Sequence, residues 1–187
     1  MSTTSLYVEL AIIGLETLFG LHFIVKSAWG DINLIKTMST STYSPIVFLG
    51  VIYVLGLIFD RIADSTLKPV ERRIRAKVFS KYKDKIDTSE MKTSLLIDVN
   101  DRQQKYIDFN RNRTRVIRGT AINIVFFALC TSLYFVCNKL FPNMVIVLAT
   151  CSALFFICIK AHNALVFDFY DKLVLFDLAN RKKENVE

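Results

Sequence analysis

The sequence predicts an all-α, polytopic membrane protein, with four transmembrane helices arranged as two hairpins and a basic, helical cytoplasmic insertion between them. Three observations predict this fold. The chain of 187 residues is 52% hydrophobic and only 22% charged, which is too apolar for an ordinary soluble domain. Long uncharged runs recur along it, and the basic residues concentrate between two of these runs. The length excludes a large transporter in one chain.

Three uncharged runs are each long enough to cross about 30 Å of hydrocarbon as a helix. They cover residues 37–59, 119–138 and 141–159. The fourth candidate span, residues 6–29, contains Glu9, Glu16, His22 and Lys26, and the sequence leaves open whether it crosses. Acidic residues interrupt its apolar stretch and no Lys or Arg precedes it, so we do not expect a secretory signal.

The distribution of Lys and Arg predicts the orientation, because these residues stay on the cytoplasmic side of a membrane. Sixteen of them lie between Arg61 and Gly119, whereas the links that join the spans within each hairpin carry few. We therefore expect the central segment and both termini in the cytoplasm. The predicted boundaries are 1–64 for the first transmembrane hairpin, 65–118 for the basic cytoplasmic module, 119–160 for the second hairpin, and 161–187 for a cytoplasmic juxtamembrane helix and tail.

Two helices are expected within the cytoplasmic module. Pro69 suits the first turn of a helix that ends near Asp87, and apolar residues recur along it every four positions, at Val70, Ile74, Val78 and Tyr82. Asn100 or Asp101 can cap a second helix that continues into the third span. Residues 95–99 fit a short strand or a helix. The apolar stretch after Lys160 is expected to lie in the membrane interface or to pack between subunits.

Two clusters of bases in this module are candidates for binding an anionic ligand or partner. They are Arg72, Arg73, Arg75 and Lys77, and Arg111, Arg113, Arg115 and Arg118. Clustered guanidinium groups bind phosphate in a fork that Lys cannot match. One interpretation is that these bases only set the topology and contact anionic lipid. The other is that they dock a nucleotide, a nucleic acid or an acidic protein.

Glu9 and Glu16 are seven residues apart and share one helix face, which predicts a pore or an ion path if several subunits assemble. An ionisable residue at bilayer depth is costly unless it is paired, protonated or facing water. The structural alternative is that Glu9 pairs with Arg61 and that hydrogen bonds hold Glu16 neutral.

The sequence contains no pattern typical of catalysis or metal binding. The two histidines, His22 and His162, are expected on opposite sides of the membrane, and the four cysteines have the spacing of packing residues. We find no nucleophile with a base and no phosphate loop. We therefore expect a protein that is not an enzyme and needs no cofactor or metal.

A small four-span chain with a basic cytoplasmic insertion resembles the membrane subunits of bacterial antiphage defence systems of the Kiwa and Hailong types. The resemblance implies a homo-oligomer in the bacterial inner membrane, with a soluble nucleic-acid-related partner and a role as sensor or channel. Our guess at the subunit number is a tetramer. We expect an ion channel gated through the basic module by an anionic ligand or a partner protein. The alternative is a non-conducting scaffold or sensor that recruits a cytosolic partner.

Overall fold

The structure, a computed structural model, describes residues 3–29, 44–82 and 101–184. Four α-helices account for almost all of them: α1 covers Thr3–Trp29, α2 covers Ser44–Lys81, α3 covers Asp101–Cys137 and α4 covers Phe141–Glu184. The predicted all-helical fold is confirmed. Each helix contains a stretch long and apolar enough to cross a membrane, including Leu6–Ala28 in α1, whose crossing the sequence left open. Four such stretches suggest an integral membrane protein.

The last three helices are much longer than a membrane crossing requires. At 38, 37 and 44 residues, they extend about 57, 55 and 66 Å, against about 30 Å of hydrocarbon. Each helix therefore continues without a break through a predicted domain boundary. The predicted domains are consecutive stretches of the same helices. Within the described residues, the apolar stretches are joined to the basic stretches by continuous helix.

The predicted helix start at Pro69 is wrong, because α2 passes through this residue without interruption. Proline has no amide proton to donate to the carbonyl four residues earlier, so it favours a first turn but does not by itself end a helix. The predicted end near Asp87 and residues 95–99 lie outside the described residues. α3 begins at Asp101 and continues to Cys137, as the second predicted helix should.

A short turn separates α3 from α4. It occupies residues 138–140, where Lys139 adopts a left-handed φ of 59°. α4 then begins at Phe141 and has Pro142 in its first turn, a position where the missing amide proton costs nothing.

The helices form an up-down-up-down bundle in which α3 contacts all the others. α1 and α2 are antiparallel and their backbones touch at Gly14 and Gly56. A Cβ atom on Gly14 would overlap the Ile52 carbonyl oxygen, and one on Gly56 would overlap the Leu10 carbonyl oxygen. Only glycine permits this approach, so the pair fixes how α1 and α2 cross.

At one end of the bundle, α2, α3 and α4 continue beyond α1 as a three-helix extension, formed by residues 72–82, 101–114 and 163–184. Its core contains Val78 and Val174, both fully buried, surrounded by Phe79, Tyr82, Tyr170, Leu173 and Leu178. The Tyr82 hydroxyl donates to Asp171 at 2.9 Å, and the Tyr106 hydroxyl donates to Asp168 at 3.0 Å. The stretch after Lys160, expected in the membrane interface or between subunits, therefore packs on α2 and α3 of its own chain.

Candidate functional site

A layer of charged side chains lies where the three-helix extension joins the rest of the bundle. We call it the charged layer, and it consists of Glu9 on α1, Asp60, Asp64 and Glu71 on α2, Arg115 and Arg118 on α3, and His162 on α4. Successive members on α2 are four and seven residues apart, so their carboxylates lie on the same face of that helix.

Arg118 is the centre of the charged layer. Its Nη1 atom is 2.8 Å from an Asp64 oxygen and 3.4 Å from a Glu71 oxygen, and its Nη2 atom is 3.4 Å from Asp60. The side chain is only 11% exposed. Burying a charge is costly without partners, and the three surrounding carboxylates offset this cost for the guanidinium of Arg118.

Arg115 connects the charged layer to α1. Its Nη1 atom donates to the Glu9 carboxylate at 3.1 Å, and its Nε atom is 3.8 Å from Asp60. The expectation that Glu9 pairs with Arg61 is therefore wrong. Glu9 faces α3, whereas Arg61 lies on the exposed face of α2.

His162 connects α4 to the same layer. The ring is fully buried, with Nε2 at 3.2 Å from a Glu71 oxygen and Nδ1 at 3.4 Å from the Asn163 side-chain oxygen. With His162 included, one set of polar contacts joins all four helices.

A second polar cluster lies about 10 Å further into the apolar part of the bundle, two turns along α1. Glu16 accepts hydrogen bonds from the Thr120 hydroxyl at 2.9 Å and from the Asn123 amide at 3.0 Å. The same amide donates to the Ile13 carbonyl at 2.8 Å. The Thr17 hydroxyl donates to the side-chain oxygen of Asn123 at 2.8 Å. Glu16 is thus hydrogen-bonded within one chain.

Glu9 and Glu16 lie on one face of α1, as their spacing predicts, and that face is directed at α3. Glu9 is ion-paired there and Glu16 is hydrogen-bonded there. Both carboxylates therefore have partners within one subunit. To line a pore between subunits they would first have to leave these partners.

A cavity of about 480 Å³ adjoins the charged layer between α2, α3 and α4. It is lined by Asp64, Glu71, Ile107, Arg111, Thr114, Arg115, Arg118, Val166, Phe169 and Tyr170. Arg111 is exposed, and the buried Nε atom of Arg118 has no hydrogen-bond partner within the described part of the chain. One wall is charged and the other is apolar and aromatic, which suits a small ligand that carries both kinds of group.

The predicted anion-binding bases fall into two groups. Arg115 and Arg118 belong to the charged layer, and Arg75 packs over the rings of Phe79 and Tyr170, with its guanidinium carbon 5.2 and 5.8 Å from their centres. The others are exposed on the three-helix extension: Arg72, Arg73, Lys77, Arg111 and Arg113. The structure therefore assigns a packing role to three of the predicted bases and leaves five accessible.

No group of three His, Cys, Asp or Glu side chains in residues 3–29, 44–82 and 101–184 could hold a metal ion, and the four cysteines are free thiols. The four carboxylates of the charged layer are each paired with one or both of its two arginines.

Sequence reasoning missed Glu71 and His162 in the charged layer, and Thr120 beside Glu16. For Glu71 a signal existed, because positions 60, 64 and 71 have the spacing of one helix face. For His162 and Thr120 the role depends on which helices are neighbours. Spacing within a single helix does not contain that information.

The fold and this site define a class: a four-helix bundle with candidate membrane spans, a buried charged layer and a basic three-helix extension. Comparison with protein-family models, with curated proteins and with solved structures finds no match to this chain.

Proposed function

We propose that this protein is a membrane-embedded scaffold or sensor whose three-helix extension, facing the cytoplasm, docks an anionic ligand or partner. One observation carries the proposal: five bases of the two predicted clusters are exposed on the extension, while the two most central arginines are held by carboxylates. Exposed Arg and Lys attract anionic partners over long range. The ligand class is a nucleotide, a nucleic acid or an acidic protein surface.

The charged layer suits such a protein because it connects the docking surface to the helices in the membrane. Arg118 contacts three positions on α2, and Glu71 contacts both Arg118 and His162. A partner that moves α2 relative to α3 would disturb these contacts. A signal between membrane and cytoplasm would then pass as a change in helix packing.

The test is direct binding of defined anionic probes to the purified protein in nanodiscs made of uncharged lipid. The probes are a fluorescent single-stranded oligonucleotide and a fluorescent polyglutamate peptide. Each reversed base removes about 1 kcal/mol of attraction or more, so the pair Arg111→Glu with Arg113→Glu should weaken binding about tenfold or more. The matched control is the pair Lys139→Glu with Lys160→Glu, which makes the same charge change at exposed positions outside the extension.

Equal weakening by both pairs would show that only net charge matters, and would count against a docking surface. No binding of either probe at low salt would reject the proposal. The triple reversal of Arg72, Arg73 and Lys77 then separates the α2 face from the α3 face.

Ion conduction by a homo-oligomer is the second candidate, and a carboxylate at the depth of Glu16 is the observation that favours it. Conduction requires assembly, because four spans leave little room for a pore within one subunit, and the two α1 carboxylates would have to leave their partners to line it. Liposomes with the purified protein should then pass ions, at a rate that Glu16→Gln changes. If the protein is a monomer by mass in detergent, or if no ions pass with either probe present, ion conduction is rejected and the scaffold or sensor remains as the proposed function.

A role in antiphage defence, in the bacterial inner membrane, belongs to the same proposal and is supported by the resemblance of the chain's layout. Its readout is the plating efficiency of phages on cells that express the protein, compared with cells that express the Arg111→Glu and Arg113→Glu pair.

A further inference from the structure

A second cavity, of about 400 Å³, opens in the apolar part of the bundle between α1, α3 and α4. Its walls are mainly apolar and include Phe19, Phe127 and Leu154. The polar side chains of its lining include Thr150 and the hydrogen-bonded pair Glu16 and Thr120. The cavity thus combines an apolar body with a single acidic group.

The polar side chains of the lining offer acceptors, because their donors are already used. The Thr120 hydroxyl donates to Glu16, and the Thr150 hydroxyl donates to the Ile146 carbonyl at 2.9 Å. Both amide protons of Asn123 are also taken, one by Glu16 and one by the Ile13 carbonyl. A carboxylate can accept about four hydrogen bonds, and contacts within the described residues supply two to Glu16.

This arrangement selects the chemistry of an occupant. A hydrocarbon chain would fill the apolar walls but bring no donor to the carboxylate. An anionic ligand would be repelled by Glu16. An ammonium group would supply both donors and the opposite charge, and in a site with little water such a bond is stronger than one between neutral groups.

We propose that this cavity binds a lipophilic amine, with its ammonium group on Glu16 and its apolar body between Phe19, Phe127 and Leu154. The volume lies within the range of drug-sized ligands. The inference is independent of the anionic docking surface, since it uses other residues on another part of the bundle. It gives Glu16 a role as a recognition group for a small molecule that enters from the lipid.

The experiment uses 4-(4-fluorophenyl)butylamine and its uncharged counterpart 4-(4-fluorophenyl)butanol, observed by fluorine NMR with the full chain in nanodiscs. A hydrogen bond to a charged group exceeds a neutral one by about 1.4 kcal/mol, so the amine should bind about tenfold more tightly than the alcohol. Glu16→Gln should reduce this preference to near unity, because the glutamine keeps the shape of the side chain and loses its charge.

A second variant keeps the test valid if Glu16→Gln does not fold. Leu154→Trp fills the cavity from α4 and should abolish binding of both compounds. Leu133→Trp makes the same substitution at a position that is 58% exposed and outside the cavity, and should leave binding unchanged. Equal affinity for amine and alcohol, unchanged binding in Leu154→Trp, or no binding to the unaltered chain would each overturn the proposal.

Discussion

Arg118 on α3 and Asp64 on α2 form an ion pair in which the guanidinium Nη1 atom lies 2.8 Å from a carboxylate oxygen. The arginine is buried and also contacts Asp60 and Glu71, which lie on the same face of α2. One residue of α3 is therefore bound along about three turns of its neighbour. This fixes how far the two helices can slide where the basic extension begins.

Replacing Arg118 by Met should destabilise the bundle strongly. Three carboxylates would lose their common partner, and breaking a buried ion pair from one side costs about 3 kcal/mol or more. Arg118→Lys should recover only part of this, because one ammonium group cannot reach three carboxylates as a planar fork does. Unfolding in mixed micelles titrated with sodium dodecyl sulfate measures both free energies.

Arg113→Met is the matched control, because Arg113 is exposed and packs over Phe109. Its cost should stay within about 0.5 kcal/mol. If Arg118→Met were as mild as this control, the charged layer would contribute nothing to the stability of the bundle.

The close approach of α1 and α2 predicts that alanine substitutions at three glycines have very different effects on the free energy of unfolding. Gly14→Ala and Gly56→Ala each place a methyl group onto a backbone carbonyl, which cannot move aside as a side chain can. Each should cost about 3 kcal/mol. Gly50→Ala on the same α2 meets nothing within 4 Å, and should stabilise by up to about 1 kcal/mol because alanine favours helix.

Unfolding of the three variants in the same micelle system provides the measurement. A cost for Gly50→Ala equal to that of Gly56→Ala would show that the loss of stability does not arise from the close approach of α1 and α2.

The helices and the faces that they bury can be predicted from the sequence, but the sequence does not show which faces contact each other. The seven-residue spacing of Glu9 and Glu16 predicted a shared face, because helix periodicity is local. Their partners on α3 lie more than a hundred positions away along the chain. The pairing depends on α1 running parallel to α3, and no local pattern states that. Arg61 was the wrong choice for Glu9, because Arg61 lies on the exposed face of α2 whereas Glu9 faces α3.

Substitution of Asn123 should reduce the free energy of unfolding more than substitution of most other polar residues in the apolar part of the bundle. It donates to Glu16 and to the Ile13 carbonyl, and it accepts from Thr17. Asn123→Leu would remove one hydrogen bond from each of these three groups, at about 1 kcal/mol each, while Glu16 keeps its bond to Thr120 and the Thr17 hydroxyl remains beside the Ile13 carbonyl. A loss of about 3 kcal/mol is expected, measured as the shift of the unfolding curve.

The control for Asn123 is Asn138→Leu, the same substitution at an exposed position in the turn after α3, where the side-chain amide donates to the Tyr134 carbonyl four residues earlier. Its effect should be below about 1 kcal/mol. Comparable losses at the two positions would contradict the view that Asn123 joins α1 to α3.

The packing of α4 on α2 predicts opposite outcomes at two adjacent positions. Val174 is fully buried against Val78, whereas Leu175 is 47% exposed. Val174→Asp should detach the end of α4, because an unpaired carboxylate cannot remain in that core without a large desolvation cost. Leu175→Asp should leave the extension intact. Hydrogen exchange followed by mass spectrometry should show faster exchange along residues 163–184 in Val174→Asp only.

Because the exposed bases on α2 and α3 depend on this packing for their relative positions, Val174→Asp should also weaken binding of the oligonucleotide and polyglutamate probes, although it changes no base. If exchange increases while probe affinity stays the same, the bases bind as independent charges, and the three-helix extension is not needed to arrange them.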